Sequence, residues 1–335
     1  MPTLAHRLCL LLLAVFLPCT ALAAPSDFEQ AKIESRQYVY HDRNQGAGGD
    51  LYCGCDWRWT GRSGGRMEPT SCGYSTRAQP QRAERLEWEH IVPASNFGRA
   101  RQCWQQGGRG HCQQTDPVFN AMEADMHNLT PVVGEVNGDR QNFPFGPVAN
   151  NQADYGVCSF RIDFRQRTAE PPDSAKGLLA RVYFYMHDRY NLPMSRQQAR
   201  LLMSWDRQFP VDAAELERDQ RIMARMGHGN PFVSGARQWS DDHRNSGEGL
   251  RNIAHGHARN TPAGRPSTAS RPRVAQVAAS SHDSTTSVRG NRRSQVYHLP
   301  QGCPGYSRMA QHNIIEFDNE NAARAAGFRR AGDCR

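Results

Sequence analysis

The distribution of the cysteines constrains the fold of this chain more than any other feature of its sequence. Of ten cysteines, six lie between residues 53 and 158, and two more, Cys303 and Cys334, stand alone near the C-terminus. The other two, Cys9 and Cys19, fall in an apolar leader segment. Eight cysteines after the leader, an even number, favour disulfides in an oxidising compartment. Pairing within each region predicts two folded units, although the six early cysteines can pair in several ways.

The first 23 residues are typical of a secretory signal peptide. His6 and Arg7 precede the apolar run Leu8–Leu17, and the small-residue site Ala21–Ala23 follows. We therefore expect an exported protein, periplasmic or secreted, and no later segment is long and apolar enough to span a bilayer. Lipid attachment at Cys19 is the less favoured alternative, because bulky residues precede it.

Composition divides the rest of the chain into three parts. Residues 25–234 mix apolar and polar residues as a globular domain does, and about 200 residues can bury a substantial core. Residues 235–285 contain long runs without large apolar residues, such as 260–273, and predict a disordered linker. Residues 286–335 regain strand and helix patterns and predict a small C-terminal module whose role the sequence does not indicate.

The charge of the chain narrows its partners. The net charge is +8, and arginine supplies nearly all the cations, since lysine occurs only at positions 32 and 176. Arginine offers planar, bidentate donors to phosphate. A basic exported protein can bind DNA, anionic lipid or cell-wall polymer, so charge indicates a polyanion and no particular chemistry.

The pattern of apolar residues predicts a first domain of the α+β class. Its C-terminal half is largely helical, with predicted helices over Lys176–Tyr190, Ser195–Gln208 and Asp212–Met226. Its middle differs: Trp88–Pro93 is short and strand-like, and residues 94–104 resemble a loop. We expect a helix over Pro117–Leu129 to bring Asn128 back beside Glu89.

Glu89 and His90 are the first candidates for chemistry. Neighbours in a regular strand face opposite sides, so joint action requires a strand end or a bulge, and Pro93 makes an end plausible. In a functional interpretation, Glu89 binds a cation and His90 activates a water molecule. An isolated Glu-His pair is far more often a solvated charge beside an ordinary histidine, so the surrounding sequence has to decide.

That surrounding sequence resembles the endonuclease I family of bacterial periplasmic and secreted nucleases, over about Phe28 to Val233. Several separated blocks match in the same order. They are Leu86–Phe97, Ala100–Arg109, His127–Phe145, Ala180–Tyr190 and Gly229–Val233. The resemblance implies a mixed α/β nuclease domain with an embedded ββα-metal (His-Me finger) motif, hence an endonuclease.

The same resemblance implies roles for four residues. His90 becomes the general base, Glu89 and Asn128 become ligands of Mg²⁺, and Arg109 contacts the phosphate. Mn²⁺ or Ca²⁺ are possible substitutes for Mg²⁺. Arg109 lies between Cys103 and Cys112, and a disulfide joining those two would close a small loop and limit the motion of Arg109.

Other residues near these motifs admit two interpretations. His127 is a competing metal ligand, although beside Asn128 we expect it to point elsewhere. Glu135 and Asn137 either orient the site through hydrogen bonds or belong to a capped turn at Asn137-Gly138, and we do not expect them to bind the metal directly. Further arginines are candidates for contacts with the DNA backbone, with solvated surface as the alternative. They are Arg99, Arg101, Arg161 and Arg165.

The C-terminal module also resembles a small module appended to secreted nucleases. His298, Cys303 and Cys334 are three possible zinc ligands, but two cysteines in an exported module more often form a disulfide. The basic entry Arg289–Arg293 is a candidate for non-specific DNA affinity.

These observations predict an exported, monomeric, Mg²⁺-dependent endonuclease that cleaves DNA without sequence preference and leaves 5′-phosphate ends, with RNA as a further substrate. Contacts to phosphates position a protein without reading bases, which accounts for the absence of sequence preference. The rivals are a catalytically silent secreted DNA-binding or matrix protein and a cell-envelope protein that holds anionic polymer.

Overall fold

The computed structural model describes residues 24–46, 48–251, 253, 288–291, 294–310, 313–317, 319–325, 328–332 and 334. The predicted signal peptide, with Cys19, lies outside the described residues, as does most of the predicted linker. The helices include α1 (Phe28–Glu34), α2 (Pro80–Ala83), α3 (Ala94–Gly98), α4 (Gln102–Thr115), α5 (Pro117–Glu123), α6 (Gly134–Arg140), α7 (Asp173–Arg189), α8 (Arg196–Gln208), α9 (Ala213–Met226) and α10 (Glu320–Ala325). The strands include β1 (Asp56–Thr60), β2 (Gly64–Glu68), β3 (Leu86–His90), β4 (Leu129–Val133), β5 (Arg161–Asp163), β6 (Thr168–Glu170), β7 (Val288–Asn291), β8 (Val296–His298), β9 (Ile314–Phe317) and β10 (Arg329–Arg330).

The predicted α+β class is confirmed, and the helical C-terminal half forms as expected. Ser195 caps α8 by accepting a hydrogen bond from the backbone N–H of Gln198, and Asp212 caps α9 through Glu215. Helix α9 ends at Gly227, whose φ of 75° is left-handed and favours glycine. Among the described residues, no helix combines the length and apolar character needed to cross a membrane.

Strands β3 and β4 and helix α6 form a ββα unit, and α3, α4 and α5 are inserted between its two strands. The two strands are antiparallel, with Glu89 opposite Thr130 and His90 opposite Leu129. Helix α6 starts directly after β4 and packs back on β3. Every side chain of β4 is buried, so the unit lies within the main hydrophobic core.

The middle of the domain differs from the sequence-based expectation in two ways. Residues 94–104, predicted as a loop, form α3 and the beginning of α4. The predicted helix over Pro117–Leu129 ends at Glu123, and the chain then makes a short 3₁₀ turn and enters β4. Leu129–Val133 is rich in β-branched residues, and pairing with β3 selects the extended form.

The segment 235–251, which the composition assigned to the linker, packs on the domain. Trp239 stacks on Phe184 at 4.9 Å between ring centroids, and Arg237 forms an ion pair of 2.6 Å with the buried Asp188. The order of this segment therefore comes from contacts with α7, which the composition of the segment does not reveal.

The C-terminal module has its own sheet, in the strand order β10-β8-β7-β9. A small core of Val288, Tyr297, Ala323 and Phe328 lies against it. Cys303 and Cys334 form a disulfide, which is the preferred alternative of the sequence analysis. His298 lies close by, and its ring nitrogen and the two sulfurs are all within 4.8 Å of one another.

Candidate active site

A cavity of 580 Å³ opens where β3 ends, and it brings together several of the residues that the sequence singled out. Its lining includes Glu89, His90 and Arg109, three of the four predicted site residues, and also Glu87, Lys32 and Asn137. His90 is the last residue of β3. The strand end predicted near Pro93 therefore explains how neighbouring residues both reach one cavity. We call this space the catalytic cavity.

The hydrogen bonding of His90 fixes its tautomer. Its Nε2 lies 2.8 Å from the backbone carbonyl oxygen of Glu123. A carbonyl oxygen can only accept, so Nε2 carries the proton and Nδ1 keeps a lone pair. Burial and, to a lesser extent, the charge of Arg109 lower the pKa of His90 to about 3. The ring is therefore neutral near pH 7 and can accept a proton at Nδ1.

Glu89 is held by two donors on one of its oxygens. Oε1 accepts a hydrogen bond from the hydroxyl of Tyr52 at 2.8 Å and from Nη1 of Arg140 at 2.9 Å. Burial raises the pKa of Glu89 to about 7, whereas Arg140 and Tyr52 act in the opposite direction and favour the carboxylate. A side chain 3% exposed is thus fixed in orientation at the wall of the cavity.

Asn128 occupies a different place from the one predicted. Its Oδ1 accepts from the backbone N–H of Val92 at 2.7 Å, and its Nδ2 donates to the carbonyl of Val92 at 2.9 Å. The side chain is fully buried and does not line the catalytic cavity. Both ends of the amide therefore bond to the backbone of Val92 and hold the chain in place after β3. This geometry does not support Asn128 as a metal ligand.

Asn137, rather than Asn128, is the asparagine that lines the catalytic cavity. It lies on α6, lines the catalytic cavity, and donates from Nδ2 to Oε2 of Glu87 at 3.1 Å. Among the hydrogen bonds of the described residues, none uses its Oδ1. Asn137 and Arg140 are three residues apart, so they share a face of α6 that meets β3. Once α6 is recognised as a helix, that spacing is the sequence signal that places Asn137 on the face toward β3.

Glu135 and Asp139 project from another face of α6. Glu135 accepts hydrogen bonds from the hydroxyl of Tyr74 at 2.5 Å and from the backbone N–H groups of residues 77–79. Asp139 pairs with Arg77 at 2.7 Å. These two acids tie the segment before α2 to α6 and thereby stabilise the frame of the site.

Arg109 is positioned by Glu123 and by the short segment that the disulfide between Cys103 and Cys112 closes. Cys103 and Cys112 are joined, which confirms that pairing. Helix α4 is interrupted just before Arg109, where Gly108 adopts a left-handed φ of 68° that a residue with a side chain would rarely take. Nε of Arg109 contacts Oε1 of the fully buried Glu123 at 2.5 Å, and its side chain is 44% exposed. The guanidinium is therefore fixed at one edge and open at the other.

His127, the alternative metal ligand, is placed elsewhere. It is fully buried, its Nε2 lies 3.1 Å from the carbonyl of His228, and it does not line the catalytic cavity. Burial lowers its pKa to about 3. Among the arginines proposed for DNA contact, Arg101 and Arg161 form ion pairs with Asp116 and Glu170. Arg99 and Arg165 are exposed.

Comparison with known proteins identifies related sequences. The family model described as Endonuclease I matches residues 27–237. An extracellular deoxyribonuclease of Aeromonas hydrophila is 42% identical over 221 residues, which cover 64% of this chain and 94% of that protein. Endonuclease-1 of Buchnera aphidicola subsp. Acyrthosiphon pisum (strain APS) is 42% identical over 207 residues, 62% of this chain and 80% of that protein. A periplasmic deoxyribonuclease of Aeromonas hydrophila is 46% identical over 186 residues, 55% of this chain and 77% of that protein.

Proposed function

The chain belongs to the endonuclease I family and is thus an endonuclease, and we propose that it is an exported, Mg²⁺-dependent enzyme that hydrolyses DNA without sequence preference. Two of the relatives are named as extracellular or periplasmic deoxyribonucleases, which supports both the substrate and the compartment. The observation that carries the proposal is the meeting of His90, Glu89 and Arg109 at one cavity.

His90 acts as the general base in this proposal. The hydrogen bond to Glu123 holds the proton on Nε2, so Nδ1 can take a proton from a water molecule as that water attacks phosphorus. The lowered pKa of His90 keeps the ring neutral before each turnover. Phosphate arriving in the cavity would raise the basicity of the ring by adding negative charge nearby.

Glu89 and Asn137 are the residues that would hold Mg²⁺. A carboxylate and an amide oxygen are hard ligands, and Mg²⁺ uses few protein ligands because it keeps several waters. Oε1 of Glu89 is occupied by Tyr52 and Arg140, so the other carboxylate oxygen is the one available to a cation. When bound, Mg²⁺ would neutralise phosphate charge and stabilise the oxygen that leaves.

Arg109 binds the phosphate and stabilises negative charge as the water attacks. The contact with Glu123 and the disulfide between Cys103 and Cys112 hold the guanidinium in place before substrate arrives. Electrostatic stabilisation of a transition state requires such a preorganised charge. In this proposal the water oxygen bonds to phosphorus as the P–O3′ bond breaks, and the departing 3′ oxygen takes a proton from solvent water, giving 3′-hydroxyl and 5′-phosphate ends. None of these groups reads a base, so cleavage is independent of sequence.

Plasmid nicking by the full-length protein tests the proposal. We expect relaxed and linear DNA with Mg²⁺, no cleavage with EDTA, and loss of cleavage by about 10²-fold or more in His90→Ala. The matched control is His41→Ala, because His41 is exposed and lies outside the cavity. A silent DNA-binding or envelope protein would shift DNA in a gel but leave the plasmid supercoiled. Undiminished nicking by His90→Ala would exclude His90 as the base.

A further inference from the structure

A second cavity, of 380 Å³, is lined in part by residues that lie one or two positions along the chain from residues of the catalytic cavity. Ala94 and Gln141 line the catalytic cavity, whereas Asn96 and Asn142 line the second one. Consecutive Cα atoms are about 3.8 Å apart, so on each of two segments the residues lining the two cavities lie close together. We call this second space the flanking cavity. This proximity is what would allow a nucleic acid strand with one phosphate at His90 to place its next nucleotide there.

The flanking cavity carries two cations that are not neutralised. Arg99 and Arg167 line it, and in the described part of the chain neither forms an ion pair with a carboxylate. Arg167 is nevertheless held in place, since Nη2 donates to Oδ1 of Asn142 at 3.3 Å and the guanidinium lies 4.8 Å from the centre of the Phe143 ring. By contrast, Arg82 and Arg109 in the catalytic cavity are paired with Glu87 and Glu123.

The rest of the lining suits a nucleotide better than an inorganic anion. No acidic residue lines the flanking cavity within the described residues. Asn96 and Gln198 supply amides that can bond to a sugar or base edge, and Pro144 and Met194 supply apolar surface. A volume of this order is in the range of sites for small organic ligands, and the mainly polar lining with some apolar surface suits a nucleotide.

We propose that the flanking cavity binds the nucleotide next to the scissile phosphate, with Arg99 and Arg167 contacting the phosphate of that nucleotide. The proposal rests on the endonuclease activity proposed above and extends it to a second binding position. The contact is to phosphate, so it increases the rate on longer strands without introducing a preference for sequence.

Cleavage of oligothymidylates of increasing length tests this position. For the wild type, kcat/KM should rise sharply at the length that first fills the flanking cavity. In the double variant Arg99→Gln/Arg167→Gln this rise should shrink by about tenfold or more, since charged hydrogen bonds to phosphate are lost. The shortest substrates should be cleaved equally by both proteins. The matched control is Arg207→Gln, because Arg207 is exposed and outside both cavities.

Binding in the His90→Ala background gives a second readout that does not depend on cleavage. Because both arginines contact one phosphate in this proposal, the double variant should reduce the slope of log K against log salt for single strands by about 0.7. A length profile and salt slope equal to those of Arg207→Gln would overturn the proposal while leaving the endonuclease assignment intact. If the wild type cleaves no oligomer or plasmid, the proposed function fails, and the salt slope alone still decides whether the two arginines bind phosphate.

Discussion

The backbone carbonyl oxygen of Glu123 lies 2.8 Å from Nε2 of His90, so one residue of α5 determines which ring nitrogen of His90 carries the proton. The carboxylate of the same residue contacts Nε of Arg109 at 2.5 Å and Nε2 of Gln113 at 2.9 Å. Glu123 therefore holds the proposed base through its backbone and the proposed phosphate-binding cation through its side chain.

We predict that Glu123→Gln lowers kcat by about tenfold or more while His90 keeps its backbone hydrogen bond. The substitution keeps the shape of the side chain but removes the charge that fixes Arg109. In a double-mutant cycle with Arg109→Gln, the two changes should be strongly non-additive, because both disrupt one pair. Glu84→Gln, at an exposed carboxylate, serves as control. Additive effects would show that Glu123 acts independently of Arg109.

Substitution of the two asparagines should have different consequences. Asn137→Ala should raise the Mg²⁺ concentration for half-maximal activity by about tenfold or more, because it removes one of few oxygen ligands. Asn128→Ala should instead lower the free energy of unfolding by about 2 kcal/mol or more, because the N–H and carbonyl of Val92 lose their partners. Magnesium titrations and urea unfolding of both variants provide the measurement. The assignment fails if Asn128→Ala is fully stable yet shifts the magnesium requirement.

Stability should decrease in acid partly through His187. Burial lowers the pKa of this histidine to about 4, below the value of about 6.5 expected in the unfolded chain. As the pH falls below 6.5, the unfolded chain takes up a proton that the folded protein does not, so folding loses free energy until about pH 4. At pH 5 the loss from this group is about 2 kcal/mol.

The variant His187→Asn isolates that contribution, since asparagine can still donate to the carbonyl of Leu192, which His187 Nδ1 contacts at 3.2 Å. Urea unfolding between pH 7.5 and 5 should show a weaker pH dependence for the variant than for the wild type. Parallel curves for the two proteins would mean that His187 titrates normally in the folded state.

We propose that the nuclease domain extends to about residue 251, and truncation can test this boundary. A chain ending at Arg251 should keep the stability and activity of the full-length protein. A chain ending at Ser234 should lose roughly 3 kcal/mol of unfolding free energy or more, since the buried Asp188 loses Arg237, His243 and Ser246 as partners. Thermal and urea unfolding of both truncations would decide. Equal stability would place the boundary at residue 234, as composition alone suggests.

Local sequence patterns were sufficient for the helical half of the domain and for part of the site. Helices α7, α8 and α9 form where apolar spacing and capping residues predict them, because those signals act within a few residues of chain. Glu89, His90 and Arg109 were singled out through the resemblance to the endonuclease I family, and the structure brings all three to one cavity. The expected pairing of Cys103 with Cys112 is present.

Only the tertiary structure decided which asparagine faces the cavity. Asn128 lies in His-Asn-Leu and Asn137 in Val-Asn-Gly. Neither short motif indicates whether the side-chain amide bonds to the backbone or faces a cavity. That depends on β4 pairing with β3, which buries Asn128 against Val92 and points α6, with Asn137, at Glu87. The roles of Tyr52, Glu123 and residues 235–251 were likewise invisible, since each depends on a partner far away in the sequence. Contacts of that kind follow from the packing of the whole domain, which no local pattern encodes.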